Sequence, residues 1–506
     1  MQNSESNILA KAFLIVGISL ALGLIFDYFF YIKIPGISFP LYISLVIIAL
    51  FLISIFIKKK LQKQILWLIL PLMFFSFMVF IRSSVLLTFL NIITSLLILL
   101  VIAKIAFKIK LKNFVIKNYL EILLLPFDFL EPLCKTLGNI FKLRGADNNQ
   151  KILPKIIKGI LITIPVLLIF LLLFASADLI FQRYLSNLTN IFTLSEETFS
   201  RIVLIIMVTL AFTGAYSYIF GKPENEETLL NNGQTISLGH IENSILLISV
   251  NILFFIFIVI QLTYLFGFEN TIASQGFTYA EYARKGFFEL IAVAVISSLI
   301  ILITEKYIEK KQAGHTWLYK ILSSILIIQV IAIMVSAFKR LLLYEEAYGF
   351  TTLRLYSHAF IILLAFIFVS LLYKIFKDTR ENTFAFRLFI MVILFLVTMN
   401  FLNPDAFIAR NNIKLLATTG KLDSDYFNTL SEDAVHETIK LLNQPDENLR
   451  NTIAHDLYWR RQSKIDSLQF SKWQSFNLSR LKAENLIKER ISEIEPYKDY
   501  QNIPSD

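Results

Sequence analysis

Ser84-Val-Leu-Leu-Thr-Phe-Leu-Asn-Ile-Ile-Thr-Ser-Leu-Leu-Ile-Leu-Leu-Val-Ile-Ala103 is an uninterrupted run of residues without a charge. A helix of that length reaches about 30 Å, the thickness of a bilayer's hydrocarbon core. Lipid offers no partner for backbone N–H and C=O groups, so such a run is a helix and not a lone strand. Comparable runs recur from Phe13 to Leu402, at about 13–32, 41–57, 65–81, 84–103, 158–181, 202–220, 243–266, 286–304, 317–337, 356–376 and 387–402. The first is too long for a signal-peptide core and lacks a small-residue cleavage site, so it reads as an uncleaved span. A chain of 506 residues that is 56% apolar and 17% charged is outside the range of water-soluble globular proteins. The alternating pattern of a membrane barrel is absent. The expected fold is all-α: a polytopic helical membrane protein of about 11 spans with a small C-terminal helical domain.

Lysine and arginine set the orientation. With the N-terminus in the cytoplasm, the inner segments carry 25 of them and the outer segments 9. An odd number of spans then places the tail outside. Four regions follow: 1–103, four spans; 104–157, a basic amphipathic loop; 158–402, a seven-span core; and 403–506, an extracytoplasmic helical tail. In the loop, Lys104, Lys108, Lys110, Lys112 and Lys117 alternate with apolar residues, and Pro126 and Pro132 break the apolar stretch that follows. It is expected to lie flat at the cytoplasmic face, with its lysines, through Lys158, among anionic lipid head groups. The tail changes composition: Ser431 and Asp446 read as helix starts, and the domain they belong to is the candidate site for a protein partner.

Several chemistries are excluded. The net charge of +10 is accounted for by membrane orientation, so nucleic acid is not an expected partner. There is no Walker glycine loop and no His-Glu-x-x-His pattern among the five histidines. The single Cys134 rules out an internal disulfide or a thiolate metal cluster. Asp423 and Asp425 make an Asp-x-Asp pair of the kind that can hold a divalent ion, but read as an exposed turn. No cofactor and no metal is expected.

Polar residues in or beside the spans are informative because lipid makes them costly. On this topology they converge on the outer rim. Asp178 lies at the end of the fifth span, with Gln261 and Tyr264 at the end of the seventh. Tyr279, Glu281, Tyr282, Arg284, Lys285 and Glu289 lead into the eighth; Glu281, Lys285 and Glu289 are four apart on one helical face. Arg340, Tyr344, Glu345 and Tyr348 leave the ninth, and Arg354 and His358 open the tenth. Asn400, Asn403 and Asp405 close the eleventh. Arg340, Tyr344 and Tyr348 share a helical face; Gly349 is suited to end that helix with a positive φ, and Thr351 or Thr352 to cap the next. A stiff corner presenting arginine and tyrosine suits recognition of an anion.

Five of these stretches, Phe174-Ala-Ser-Ala-Asp-Leu-Ile-Phe181, Gln261-Leu-Thr-Tyr-Leu-Phe-Gly267, Phe277-Thr-Tyr-Ala-Glu-Tyr-Ala-Arg-Lys-Gly-Phe-Phe-Glu-Leu290, Tyr344-Glu-Glu-Ala-Tyr-Gly-Phe-Thr-Thr-Leu-Arg354 and Asn403-Pro-Asp-Ala-Phe-Ile-Ala-Arg-Asn-Asn-Ile413, resemble a bacterial multi-pass membrane family. It is described only as a domain of unknown function, of the four-one-five-three and four-one-seven-three kind. The resemblance runs from about Ile157 into the early tail. Leu179 and Phe350 stand where the family more often has proline and leucine. It implies a bacterial plasma-membrane protein and brings no assigned activity.

Three expectations follow. The first is a transporter or permease-like protein binding an ion or small anionic solute in an outward-facing polar pocket, with proton coupling through Glu289 or Asp178. The second is a sensor or assembly scaffold linking the outer tail to the basic inner loop. The third, least supported, is a lipid-processing enzyme.

Overall fold

A computed structural model describes residues 2–107, 110–141, 196–221, 240–265, 287–307, 313–420, 422–466 and 472–500. Among the described residues there is no strand. The first four helices are α1 (Gln2–Phe30), α2 (Ser38–Ile57), α3 (Gln64–Ile81) and α4 (Val85–Ile105). Three shorter ones follow, α5 (Ile116–Ile122), α6 (Leu125–Asp128) and α7 (Leu130–Phe141). Then come α8 (Glu196–Gly221), α9 (His240–Leu265), α10 (Phe287–Tyr307), α11 (Ala313–Tyr348), α12 (Thr352–Lys377) and α13 (Glu381–Leu402). The tail holds α14 (Pro404–Thr419), α15 (Ser424–Thr429), α16 (Val435–Thr438), α17 (Glu447–Asp466), α18 (Leu478–Glu489) and α19 (Ile491–Ile494), joined by 3-10 turns.

Among the described residues nine helices are long and apolar enough to cross a membrane, and Leu290–Glu305 of α10 is a shorter apolar segment. These ten match the expected spans apart from the fifth, 158–181, which lies outside the described residues. The protein is therefore a multi-pass helical membrane protein.

Cross-links between helices show that the bundle has two ends. Asp27 near the end of α1 pairs with Arg201 near the start of α8 at 2.7 Å. Lys59, after α2, donates to the Phe220 carbonyl at the end of α8 at 3.1 Å. Glu305 at the end of α10 bonds Lys374 at the end of α12, and Lys320 bonds Asp378 at 2.5 Å. One end, the tail end, carries the turns 31–37, 82–84 and 349–351. The other, the lysine end, carries Lys58, Lys60 and Lys63.

The apolar interior divides in two. One core joins α1 to α4, α8 and the inner faces of α5 and α6. The other joins α9, α10, α11 and α12. Helix α13 belongs to both: Leu396 lies in the first core and Phe384 in the second. Close packing is visible at Gly23, where a Cβ would stand 2.4 Å from the Thr209 hydroxyl of α8, so only glycine lets α1 and α8 approach this far.

The segment after α4 packs one side on the bundle. Leu111, Phe114, Ile122, Leu125, Phe129 and Leu133 are buried against the bundle, and Thr136 donates to Ser217 of α8 at 2.7 Å. Leu111 and Phe114, between the lysines, and the apolar residues after them have spans to pack on, so that side of the segment is covered by protein.

The tail encloses a third core, with Ile408, Phe427, Leu441, Ile453 and Leu457 at its centre and Leu355 of α12 contributing from the membrane side. Ser431 caps the turn 432–434 by accepting the Asp433 N–H at 3.3 Å. Asp446 accepts the Leu449 N–H at 3.1 Å at the start of α17.

Candidate functional site

The tail end is where buried polar groups meet, and three elements build it. The turn 82–84 between α3 and α4 leaves the Ser83 and Ser84 N–H groups and the Arg82 carbonyl without intrahelical partners. The tail supplies them. The Asp433 carboxylate accepts the N–H groups of Ser83 at 2.9 Å and Ser84 at 3.0 Å, both through Oδ2. Ser83 returns the contact by accepting the Asp433 N–H at 3.0 Å. Asn477 donates to the carbonyls of Val79 at 3.2 Å and Arg82 at 2.8 Å. Asp433 thus stands where an anion is favoured, at the N-terminus of a membrane helix.

Arg82 ties this joint to α13. Its Nε and Nη2 donate to the Asn400 carbonyl at 3.0 and 2.7 Å, and its Nη1 lies 3.9 Å from Asp433. The Asn400 side chain forms a reciprocal amide pair with Asn91 of α4, at 2.9 and 2.8 Å. Both asparagines are buried. In an apolar surrounding such a pair fixes register, since a slip leaves buried amide groups without their partners.

The third element is the α11–α12 corner. Gly349 has φ +78°, as the sequence suggested, and ends α11. A Cβ there would lie 2.9 Å from Asn412 Oδ1, because Asn412 of α14 sits directly against the turn. Asn412 accepts the Phe350 N–H at 2.6 Å and donates to the Phe350 carbonyl at 2.9 Å. The expected threonine cap of α12 does not form through the threonine side chain: Thr351 makes no capping bond. The Tyr426 hydroxyl accepts the Thr352 N–H at 2.6 Å instead, so a tail tyrosine replaces the local cap.

The sequence-derived candidates distribute as follows. Arg354 lies 4.0 Å over the Tyr344 ring and donates to the carbonyls of Tyr348, at 3.2 Å, and Gly349. Tyr344 and Tyr348 are paired at 5.1 Å. This arginine closes the hairpin that carries it. Arg340 is half-buried one turn earlier on α11. Glu345 points the other way and is buried, its Oε1 3.2 Å from Nδ1 of His358 on α12. Nε2 of His358 faces the Phe338 carbonyl at 3.4 Å. The second carboxylate oxygen of Glu345 has no hydrogen-bond partner among the described residues.

Asn403 adopts φ +54° and links α13 to α14. Asp405 is buried and accepts the Ser431 N–H at 3.1 Å. Burial raises its pKa, the Ser431 hydrogen bonds oppose this, and nearby Asp433 adds to the rise. Asp178, Tyr279, Glu281, Tyr282, Arg284 and Lys285 lie outside the described residues, as do the side chains of Gln261, Tyr264 and Glu289. Within the tail, a cavity of about 10 Å³ lies between Asn428, Ser431, Asp456 and Arg460. It has room for a single water and not for a solute. Among the described residues no group of three His, Cys, Asp or Glu is placed to hold a metal ion.

Sequence reading missed Asp433, Asn477, Asn412 and Tyr426. Their partners are backbone groups up to several hundred positions away. Only the Ser83-Ser84 pair in a tight turn after Arg82 marks a place that needs such partners.

The family described as a domain of unknown function (DUF4153) matches residues 69–441. The chain belongs to this family. The match begins inside α3, well before the stretches that first suggested it, and ends within the tail. Its bounds include Ser83, Ser84, Asn400, Asn412 and Asp433, whereas Asn477 lies beyond them. No curated protein and no solved structure matches the chain. DUF4153 carries no activity in its description, so function rests on the geometry above.

Proposed function

We propose that the protein is a sensor or assembly scaffold of the bacterial plasma membrane, in which the tail domain is the receiving surface and the two bundles beneath it respond together. One observation carries this reading: a folded domain is bonded to both halves of the membrane region. Asp433 and Asn477 hold the α3–α4 turn of the first bundle, while Asn412 and Tyr426 hold the α11–α12 corner of the second. A partner that shifts the tail acts on both cores at once, with α13 as the helix common to them. The lysine end faces the cytoplasm and the tail end the outside, following the bias of basic residues.

The test pairs two variants with a strain lacking the protein. Asp433→Ala and Asn477→Ala together with Asn412→Ala and Tyr426→Phe remove the side chains that hold the tail to both bundles, with no substitution inside a span. Loss of complementation, with normal membrane insertion and an unchanged phenotype in Lys63→Gln, supports the scaffold. Full complementation by the combined variant overturns it.

A carrier for an ion or small anionic solute has a separate basis. Glu345 and His358 form a buried polar pair at the tail end, with one carboxylate oxygen unbonded among the described residues, and intramembrane ionisable groups commonly serve transport or proton relay. On this reading Glu345→Gln abolishes flux while the tail-release variant keeps at least part of it. The scaffold predicts the opposite order.

A further inference from the structure

At the lysine end, α5 and α6 show two faces. Ile122, Leu125 and Phe129 are buried in the bundle. The other face presents Leu120, Leu123, Leu124 and Phe127, which are 58% to 69% exposed. Their spacing of three and four residues makes one continuous stripe. Such a patch on a soluble surface would mark a binding site, and here its height in the membrane decides the occupant.

Tyr119, at the root of this face, stacks on Phe389 at 5.5 Å. Phe389 lies eight residues into α13, which begins at Glu381, so the contact is about 12 Å along that helix from its start. On α13, Ile390 and Leu394 beyond this contact are apolar and exposed, which sets Tyr119 at the height of the lipid-facing belt of the spans. Lys110, Lys112 and Lys117 are exposed before it, and Lys117 is 3.8 Å from Glu121, a contact too loose to neutralise it.

We infer that residues 120–127 form an in-plane lipid foot: the four apolar side chains enter the acyl region of the membrane that holds the protein, and Lys110, Lys112 and Lys117 bind phosphates of anionic lipid above them. This inference is independent of the scaffold reading, since it concerns the opposite end and none of the residues that hold the tail. It narrows the expected surface-lying loop to a short segment whose inner half belongs to the bundle.

Spin labels provide the test. Cys134 is the chain's only cysteine, so a Cys134→Ser background accepts a single nitroxide at Leu124→Cys, Phe127→Cys or Lys117→Cys. The full-length protein is reconstituted in vesicles of phosphatidylcholine with phosphatidylglycerol, and collision of each label with oxygen and with a water-soluble nickel chelate is measured. Labels at 124 and 127 are expected to meet oxygen and be shielded from nickel, with the order reversed at 117. Labels at 124 and 127 open to nickel overturn the inference. Labels closed to both reagents also overturn it, since a second copy or another protein then covers the stripe.

The head-group half is read separately, from spin-labelled lipids held at the protein surface. Phosphatidylglycerol is expected to be favoured over phosphatidylcholine by about five-fold, the factor that a single well-placed lysine supplies. The preference should fall to parity when Lys110, Lys112 and Lys117 are all changed to Gln. Equal retention of both lipids by the unaltered protein overturns this half.

Discussion

At the tail end the Asp433 carboxylate is buried and takes two backbone N–H groups from a turn far away in sequence. At the lysine end Lys58, Lys60 and Lys63 stand exposed beside the termini of α2 and α3. Both sets of charges flank membrane helices, yet they act differently. The buried carboxylate completes hydrogen bonds that water cannot reach, so its removal leaves donors stranded. The exposed lysines retain their hydration, and each is replaceable by another polar group. Charge near a span end therefore has two meanings, and burial separates them.

The largest effect should come from Asp433→Ala. Stranding the Ser83 and Ser84 N–H groups, and removing the carboxylate beside Arg82, should cost about 3 kcal/mol or more, read by denaturant unfolding of the protein in detergent. Asp433→Asn keeps one acceptor and should lose less. A cost no greater than that of a lysine-end substitution would break the contrast. Next comes Asn412→Ala, which opens both backbone groups of Phe350; the loss should be about 1–3 kcal/mol, and the α11–α12 corner should become accessible to protease.

A third prediction sharpens the contrast through pH. Burial, with Asp433 nearby, holds Asp405 above the usual carboxylate range. The folded state therefore takes up this proton more readily than the unfolded one. Its contribution is complete at low pH and is lost as pH rises through the raised value. Asp405→Asn should match the unaltered protein in acid and be more stable at neutral and alkaline pH, in thermal unfolding followed across that range. Glu437 behaves oppositely. Burial raises its pKa, but hydrogen bonds from Lys440 and Arg410 outweigh that and leave it lowered. Its contribution is lost as pH falls. The smallest effect belongs to the lysine end: Lys58, Lys60 and Lys63 changed together to Gln should leave the unfolding midpoint unmoved while weakening the fixed orientation in reporter fusions.

The spans were legible because twenty apolar residues in lipid have one backbone solution. Gly349 was legible for a similar local reason, since it ends a helix and is followed by threonines. Two charged candidates carried less information than their type suggested. Arg354 closes its own hairpin, and Asp405 bonds the tail backbone at Ser431. Nothing in sequence spacing distinguishes an arginine that binds a solute from one that binds a carbonyl. The joint at Asp433 was illegible for another reason. Ser431-Glu-Asp433 reads as a local helix start, and it is one, but the same aspartate also serves a membrane turn that only the folded chain brings near.

Hydrogen–deuterium exchange at the Ser83, Ser84 and Phe350 amides, in the unaltered protein held in lipid nanodiscs, tests most directly whether the tail grips both bundles. All three are predicted to be protected to the level of Ile453 and Leu457 inside α17. Exchange at any of them as fast as in an exposed loop would mean that the tail and the membrane region move separately, and the proposed coupling would fail.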